Sequence, residues 1–221
     1  MSNIILAIDA SINYCSIAIY KNKKIYSLLN KSKEKHTIKI LPMIKKILIL
    51  SNTKLKEIEY VTFSKGPGYF TGLRIATGIA QSLSLTLKIP ILGISTFSII
   101  AQKVWRKYKK KKILIIIYAG LNKVYWAEYI KNNKLLWSGE KTESLININE
   151  INKKIHLFKE DWIIVNSEWN KKKSLNFLKT KKAKTIFPNA KDIIPLALFN
   201  IKHNNFLYAT QVNSEYLNDI F

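Results

Sequence analysis

Arginine is almost missing from this chain. Arg74 and Arg106 are the only two in 221 residues, although lysine and arginine together outnumber aspartate and glutamate 37 to 14, for a formal charge of +23. Bidentate recognition of bases and phosphates favours the planar guanidinium fork over an ammonium. Sequence-specific nucleic-acid readout is therefore not expected, whereas weak, salt-sensitive attraction to RNA is. Lysine, isoleucine and asparagine are enriched together along the whole chain, as a general drift in composition produces, and a dense run stands at Lys107 with Lys109 to Lys112. Cysteine occurs once, so no internal disulfide can form. Cys15 alternates in step with Ile17 and Ile19, the pattern of a buried small hydrophobe rather than a nucleophile. His36, His156 and His203 are scattered, with no His-x-x-x-His or His-Glu-x-x-His spacing, so no metal and no cofactor are expected. No Ser/His/Asp or Cys/His set can be assembled, and no catalytic residue is assigned. No apolar run approaches the roughly eighteen residues of a membrane span. Met1-Ser2-Asn3 leads into an apolar strand without the charged region or cleavage site of a signal peptide, which makes the cytoplasm the expected compartment.

What the chain does have is a strand, a glycine turn and a helix between Tyr60 and Leu87, around which the rest can be arranged. Tyr60 to Phe63 are good strand formers. Gly66-Pro67-Gly68 reverses the chain, Thr71 offers an N-cap, and a periodic apolar helix runs from Gly72 towards Lys88 before Pro90 stops it. Such a turn points unpaired N–H groups at one spot and suits an anion. Its spacing matches neither G-x-G-x-x-G nor a Gly-Lys-Ser/Thr loop, so a turn needed only for packing stands beside the anion reading.

The element order predicts two halves. Ile4 to Asp9 reads as a doubly covered strand, Tyr14 to Tyr20 as an alternating one, and Ile25 to Leu29 as a third after Lys21-Asn22-Lys23. A helix over Thr37 to Leu50 places Leu41, Ile44 and Leu48 on one face. After the strand, turn and helix come a strand at Ile91 to Gly93 and a helix from Thr96 to Trp105. Past the lysine run the order restarts: strands at Ile113 to Ile117, Val124 to Ile130 and Leu135 to Ser138, then a helix at Asn149 to Leu157. A strand at Trp162 to Val165, a helix near Lys173 to Leu178, a strand at Lys184 to Phe187 and a helix from Asn189 complete it. Tyr125, Tyr129 and Trp126 fall on both faces of an alternating strand, a packing pattern. The fold class expected is α/β: duplicated actin-like, Hsp70-like (ribonuclease H-like) domains at 1–106 and 107–221, each a mixed sheet flanked by helices.

Within that plan Asp9 ends the first strand, where a member of the actin group places a carboxylate near metal and phosphate; a carboxylate capping the Ala10-Ser11 turn is the other reading. Asp9, Gly66, Gly68, Thr71, Gly72 and Arg74 thus make a candidate anion or nucleotide loop. The corresponding second-half loops, Tyr118 to Asn122 and Ser167 to Asn170, offer no acid in the first and no glycine in the second. The second half therefore reads as degenerate, which argues against a kinase or ATPase. Gly72, Ala76, Ala80 and Ser84 recur every four residues and form a small-residue stripe. It admits close approach either of this chain's own sheet or of a partner.

The segments Ile4 to Asp9 with Cys15 to Ala18, Gly66-Pro67-Gly68-Tyr69-Phe70-Thr71-Gly72-Leu73-Arg74, Gly93 to Thr96, Val124 to Tyr129 and Tyr216-Leu217 resemble the bacterial TsaB (YeaZ) family over almost the whole chain. The resemblance implies a role in forming threonylcarbamoyl on N6 of the adenosine 3′ to the tRNA anticodon. It implies a non-catalytic subunit that binds and supports TsaD in a heterodimer, acts with the ATPase TsaE, and meets tRNA indirectly. Partner-binding residues would then be Leu41, Ile44 and Leu48 with the stripe Gly72, Ala76, Ala80 and Ser84, and the same face could form a homodimer in the partner's absence. The chain departs from the family where Ala10 replaces a usual threonine, Tyr118-Ala119-Gly120 an Asp-x-Arg pattern, and Asn218 an arginine. A free-standing nucleotide-binding enzyme and a basic RNA-binding module are the competing readings.

Overall fold

The computed structural model describes residues 3–12, 14–31, 36–132, 137–166 and 183–211. Met1 and Ser2, the start of the strand expected at Leu135, the Ser167 to Asn170 loop, the helix expected near Lys173 to Leu178 and the Tyr216-Leu217-Asn218 segment lie outside these residues.

The chain forms two compact units, Met1–Ile99 with Pro188–Phe221, and Ile100–Phe187. In the first, β1 (Ile5–Asp9), β2 (Cys15–Lys21) and β3 (Lys24–Asn30) form an antiparallel meander. Asn22 and Lys23 turn it with φ of 50° and 62°, the left-handed pair that a two-residue hairpin requires. After α1 (His36–Leu50), β4 (Tyr60–Gly66) adds to β1 in parallel. After α2 (Phe70–Leu87), β5 (Ile91–Ser95) adds to β4 in parallel, giving the order β3-β2-β1-β4-β5. A right-twisted sheet grown by helical crossovers must have its helices on its faces. Accordingly α1 and α2 cover one side: Leu6, Ile8, Ile17 and Ile19 pack there with Ile40, Ile47, Ala76 and Ala80. Each fully buried aliphatic side chain of that size contributes roughly 1.5–3 kcal/mol.

The other side is covered by the last helix, α5 (Ala190–Lys202). Its Ile193, Ala197 and Ile201 pack on Ile5, Ala7 and Ala18. Sequence order alone assigns residues 107–221 to a second half; α5 instead falls in the first unit, where its apolar face packs on those central-strand residues together with Ile99 of the helix after β5.

α3 (Thr96–Tyr108) leads into the second unit. There β6 (Lys112–Gly120) and β7 (Lys123–Lys131) are antiparallel, with β8 (Trp137–Ser138) on β7, and β10 (Trp162–Asn166) and β11 (Lys184–Thr185) added in parallel. The order β11-β10-β6-β7-β8 repeats the first sheet's plan. A short strand that the sequence reading lacks, β9 (Ser144–Asn147), also pairs with β7 and leads into α4 (Ile148–Ile155). Trp126 packs edge-on to Phe158, while Tyr129 meets Trp137 on the opposite face. The chain thus has the expected duplicated actin-like α/β fold. No helix among the described residues is long and apolar enough to cross a membrane.

Candidate functional site

The site expected at the ends of β1 and β4 is built by the first unit alone. Asp9, the last residue of β1, is buried at 1% exposure. Its Oδ1 accepts the Ser11 hydroxyl at 2.7 Å and the Ser11 N–H at 3.2 Å, and its Oδ2 faces the Ser16 hydroxyl at 3.4 Å. Register places Ser16 directly across from Asp9 on β2. Burial disfavours the charged carboxylate and raises its pKa above the ordinary value, while the bonds from Ser11 pull the other way.

The glycine turn closes over this group. The Tyr69 N–H donates to the Ser11 carbonyl at 2.7 Å. A Cβ on Gly68 would lie 2.3 Å from that same oxygen, so only glycine fits there. Gly66 has a φ of 115°, and the Gly66–Pro67 peptide is cis. Asp9 and Gly68 are therefore drawn around the Ser11 turn; Gly66 ends β4 opposite Ser95 of β5, and Gly72 is buried where α2 begins. Thr71 and Arg74 are not part of that group. Both are exposed on the first turn of α2, and the Arg74 guanidinium stands 3.7 Å over the Phe70 ring. Thr71 is not the N-cap either: the helix starts at Phe70, two residues before Gly72, with Tyr69 as its cap, whose N–H is held by the Ser11 carbonyl.

The small-residue stripe of α2 faces inward. Gly72, Ala76, Ala80 and Ser84 are all buried, with Ala76 and Ala80 in the core beneath β1 and β4. The close approach they permit is to the protein's own sheet. Ile44 is buried as well, Leu48 is half-buried and Leu41 is 57% exposed. Beside the stripe, Ile75, Ile79 and Leu83 are half-buried.

In the second unit the connection corresponding to the Ser11 loop is only a tight hairpin. Leu121 and Asn122 take φ values of 47° and 59° between β6 and β7, and the turn carries no acid. The histidines mark helix ends: His36 opens α1, His156 follows α4 and His203 follows α5. Among the described residues, no three His, Cys, Asp or Glu side chains gather as a metal would require. Sequence reasoning missed the parts played by Ser11 and Ser16; the signal was available in the Asp9-x-Ser11 spacing and in the alternation of β2.

Fold and site together define an actin-like α/β protein whose first unit retains a glycine turn packed on a buried aspartate and whose second unit lacks the corresponding acid. Residues 30–209 match the family model described as TsaD, tRNA N6-adenosine threonylcarbamoyltransferase. The chain is 62% identical over 195 residues to the tRNA threonylcarbamoyladenosine biosynthesis protein TsaB of Buchnera aphidicola subsp. Schizaphis graminum, covering 88% of this chain and 93% of that protein. To the TsaB of Escherichia coli (strain K12) it is 34% identical over 196 residues, 87% of this chain and 85% of that one. The solved structure of YeaZ from Pseudomonas aeruginosa superposes with a TM-score of 0.80 at 25% identity, covering 95% and 98% of the two chains. The chain belongs to the TsaB (YeaZ) family, whose named members are proteins of tRNA threonylcarbamoyladenosine biosynthesis.

Proposed function

We propose that this chain is a non-catalytic subunit in forming the threonylcarbamoyl group on N6 of the adenosine 3′ to the tRNA anticodon. It binds and supports a catalytic TsaD-family protein and acts together with a TsaE-family ATPase. The observation that carries this reading is the surrounding of Asp9. The carboxylate at the end of β1 is buried and engaged by Ser11 and Ser16, a bonding pattern that organises a turn. A general base needs instead to reach a substrate proton. The match to a TsaD family model supports pairing between chains of like fold.

The surface offered to that partner is the α1–α2 side of the first unit. Ile44, Gly72, Ala76, Ala80 and Ser84 shape it from beneath, since they are buried. What a partner would touch is Leu41, with half-buried Leu48, Ile75, Ile79 and Leu83. Ile38 and Ile49, near the two ends of α1, are also exposed, at 62% and 73%. Without the partner, the same face can pair with itself about a two-fold axis.

The test is reconstitution. Purified chain alone should give no threonylcarbamoyl transfer and no peptide cleavage, whereas adding it to a TsaD-family and a TsaE-family protein should support transfer. Leu41→Glu and Ile79→Glu, each checked for unchanged melting, should weaken the complex on size-exclusion and calorimetry. Turnover by this chain alone, or normal assembly of both folded variants, would overturn the reading.

A further inference from the structure

We infer that the end of α3, together with β11, forms a binding surface for the RNA phosphate backbone, a direct contact that goes beyond the supporting role proposed above. Four lysines from three separate segments of the second unit converge on two rings in the last turns of α3. Lys107 and Lys184 both lie over Tyr108, at 5.0 and 4.2 Å from its centroid. Lys109 and Lys131 both lie over Trp105, at 5.5 and 5.4 Å. Lys110 and Lys111 continue the cluster into solvent.

Carboxylates do not balance this charge. Lys112 pairs with Asp161 at 2.5 Å, but among the described residues no acidic side chain forms an ion pair with Lys107, Lys109, Lys110, Lys111 or Lys184. Two simpler accounts fall short. Cations complement the dipole at a helix C-terminus only within its last turn, which covers Arg106 and Lys107 but not Lys184 on a strand. A general excess of lysine spreads charge over the surface, whereas here pairs of like charges share one ring. Cation–π attraction keeps such pairs tolerable, and a bound anion makes them favourable.

The chemistry selects the anion. The rings are already engaged by the protein's own ammonium groups, so they offer no free platform for bases. Ammonium groups neutralise phosphates without reading sequence. The partner is therefore a polyphosphate backbone, and in a family of tRNA-modification proteins the RNA to hand is tRNA.

The full chain is titrated with an unmodified tRNA transcript by fluorescence anisotropy over a range of KCl concentrations. The variant Lys109→Gln/Lys110→Gln/Lys111→Gln is compared with a control of equal charge change on exposed lysines of the first unit, Lys24→Gln/Lys46→Gln/Lys56→Gln. The expected result is about tenfold or greater loss for the first at low salt, with the salt slope reduced by about two, and less than about twofold loss for the control. Lys110→Glu, a single exposed change, gives the same direction if the triple variant melts early. Equal losses in both triples, no loss in either, or loss of TsaD-family binding with tRNA binding intact would each overturn the assignment.

Discussion

The backbone N–H of Ala190 donates to the Ser16 hydroxyl at 2.8 Å across 174 residues of chain. Ser16 in turn faces Asp9 at 3.4 Å, so one hydroxyl joins the first N–H of α5, the β2 strand and the buried carboxylate. This link fixes the last helix to the first sheet and brings the capped N-terminus of α5, whose Lys191 and Asp192 N–H groups are met by Asn189, to the serine that also faces Asp9. The partial positive charge of a helix start compensates in part for burying an acid.

Ser16→Ala removes that shared hydroxyl. It leaves the Ala190 N–H without its acceptor and takes one donor from Asp9, both in a buried setting. Loss of a buried partner costs about 1–3 kcal/mol, so the melting temperature should fall by several degrees. Ser16→Thr keeps the hydroxyl and should recover part of the loss. A Ser16→Ala variant that melts like the parent would show the link to be incidental.

The inward stripe makes a second prediction. Ala76 and Ala80 are fully buried, and added methylenes in a packed core typically cost about 1–3 kcal/mol. Ala76→Leu should therefore lower stability in chemical denaturation of the isolated chain, and Gly78→Ala should not, because nothing lies within 4 Å of a Cβ there. Equal stability of Ala76→Leu and the parent would place the stripe outside the core.

Much of this fold was legible before any coordinates. Period-two alternation marked β2, the continuous apolar run marked β1, and Gly66-Pro67-Gly68 marked the turn, because each depends on near neighbours in the chain. The ownership of α5 was not legible. Its apolar face is plain in sequence, but the face it covers is made by Ile5, Ala7 and Ala18, far away along the chain. The stripe on α2 leaves two readings open in sequence for a related reason: four-residue spacing announces a close approach without saying to what. Thr71 was misjudged as a cap because the Tyr69 N–H to Ser11 carbonyl bond, a long-range contact, sets where the helix starts. For the candidate site, the sequence singles out Asp9 and the turn glycines, whereas the serines that satisfy Asp9 read there as ordinary strand and loop residues.

Asp9 also makes stability depend on pH. Its folded pKa is raised by burial above the ordinary value of 3.8. Between the two values the folded chain binds more protons than the unfolded chain, so the contribution is fully present below the unfolded pKa and is lost as pH rises through the folded one. Asp9→Asn removes the titration. Plotting melting temperature against pH from the mildly acidic range to neutrality should show a decline in the parent that is flattened in Asp9→Asn. Parallel curves would sink this account.

Lys131 makes stability depend on pH with the opposite slope. It is 7% exposed and lies 4.6 Å over Trp137 as well as over Trp105, with the Gln102 carbonyl oxygen 3.5 Å from its ammonium. Lys109, sharing the Trp105 ring, is a like charge. Burial lowers the Lys131 pKa from 10.5 to about 8. Between those values the unfolded chain binds more protons, so stability rises with pH across the window, and the cost of the buried charge is fully present below it. Lys131→Met keeps the apolar stem against both indoles and removes the ammonium. It should be more stable than the parent at pH 7, by at most roughly 3 kcal/mol on the conversion of pKa to free energy. That advantage should shrink as pH climbs from 8 to 10, read as the difference in melting temperature between variant and parent. If the difference stays constant over that range, Lys131 is charged and solvated in the folded chain, and the two tryptophans are packing neighbours that leave its charge unaffected.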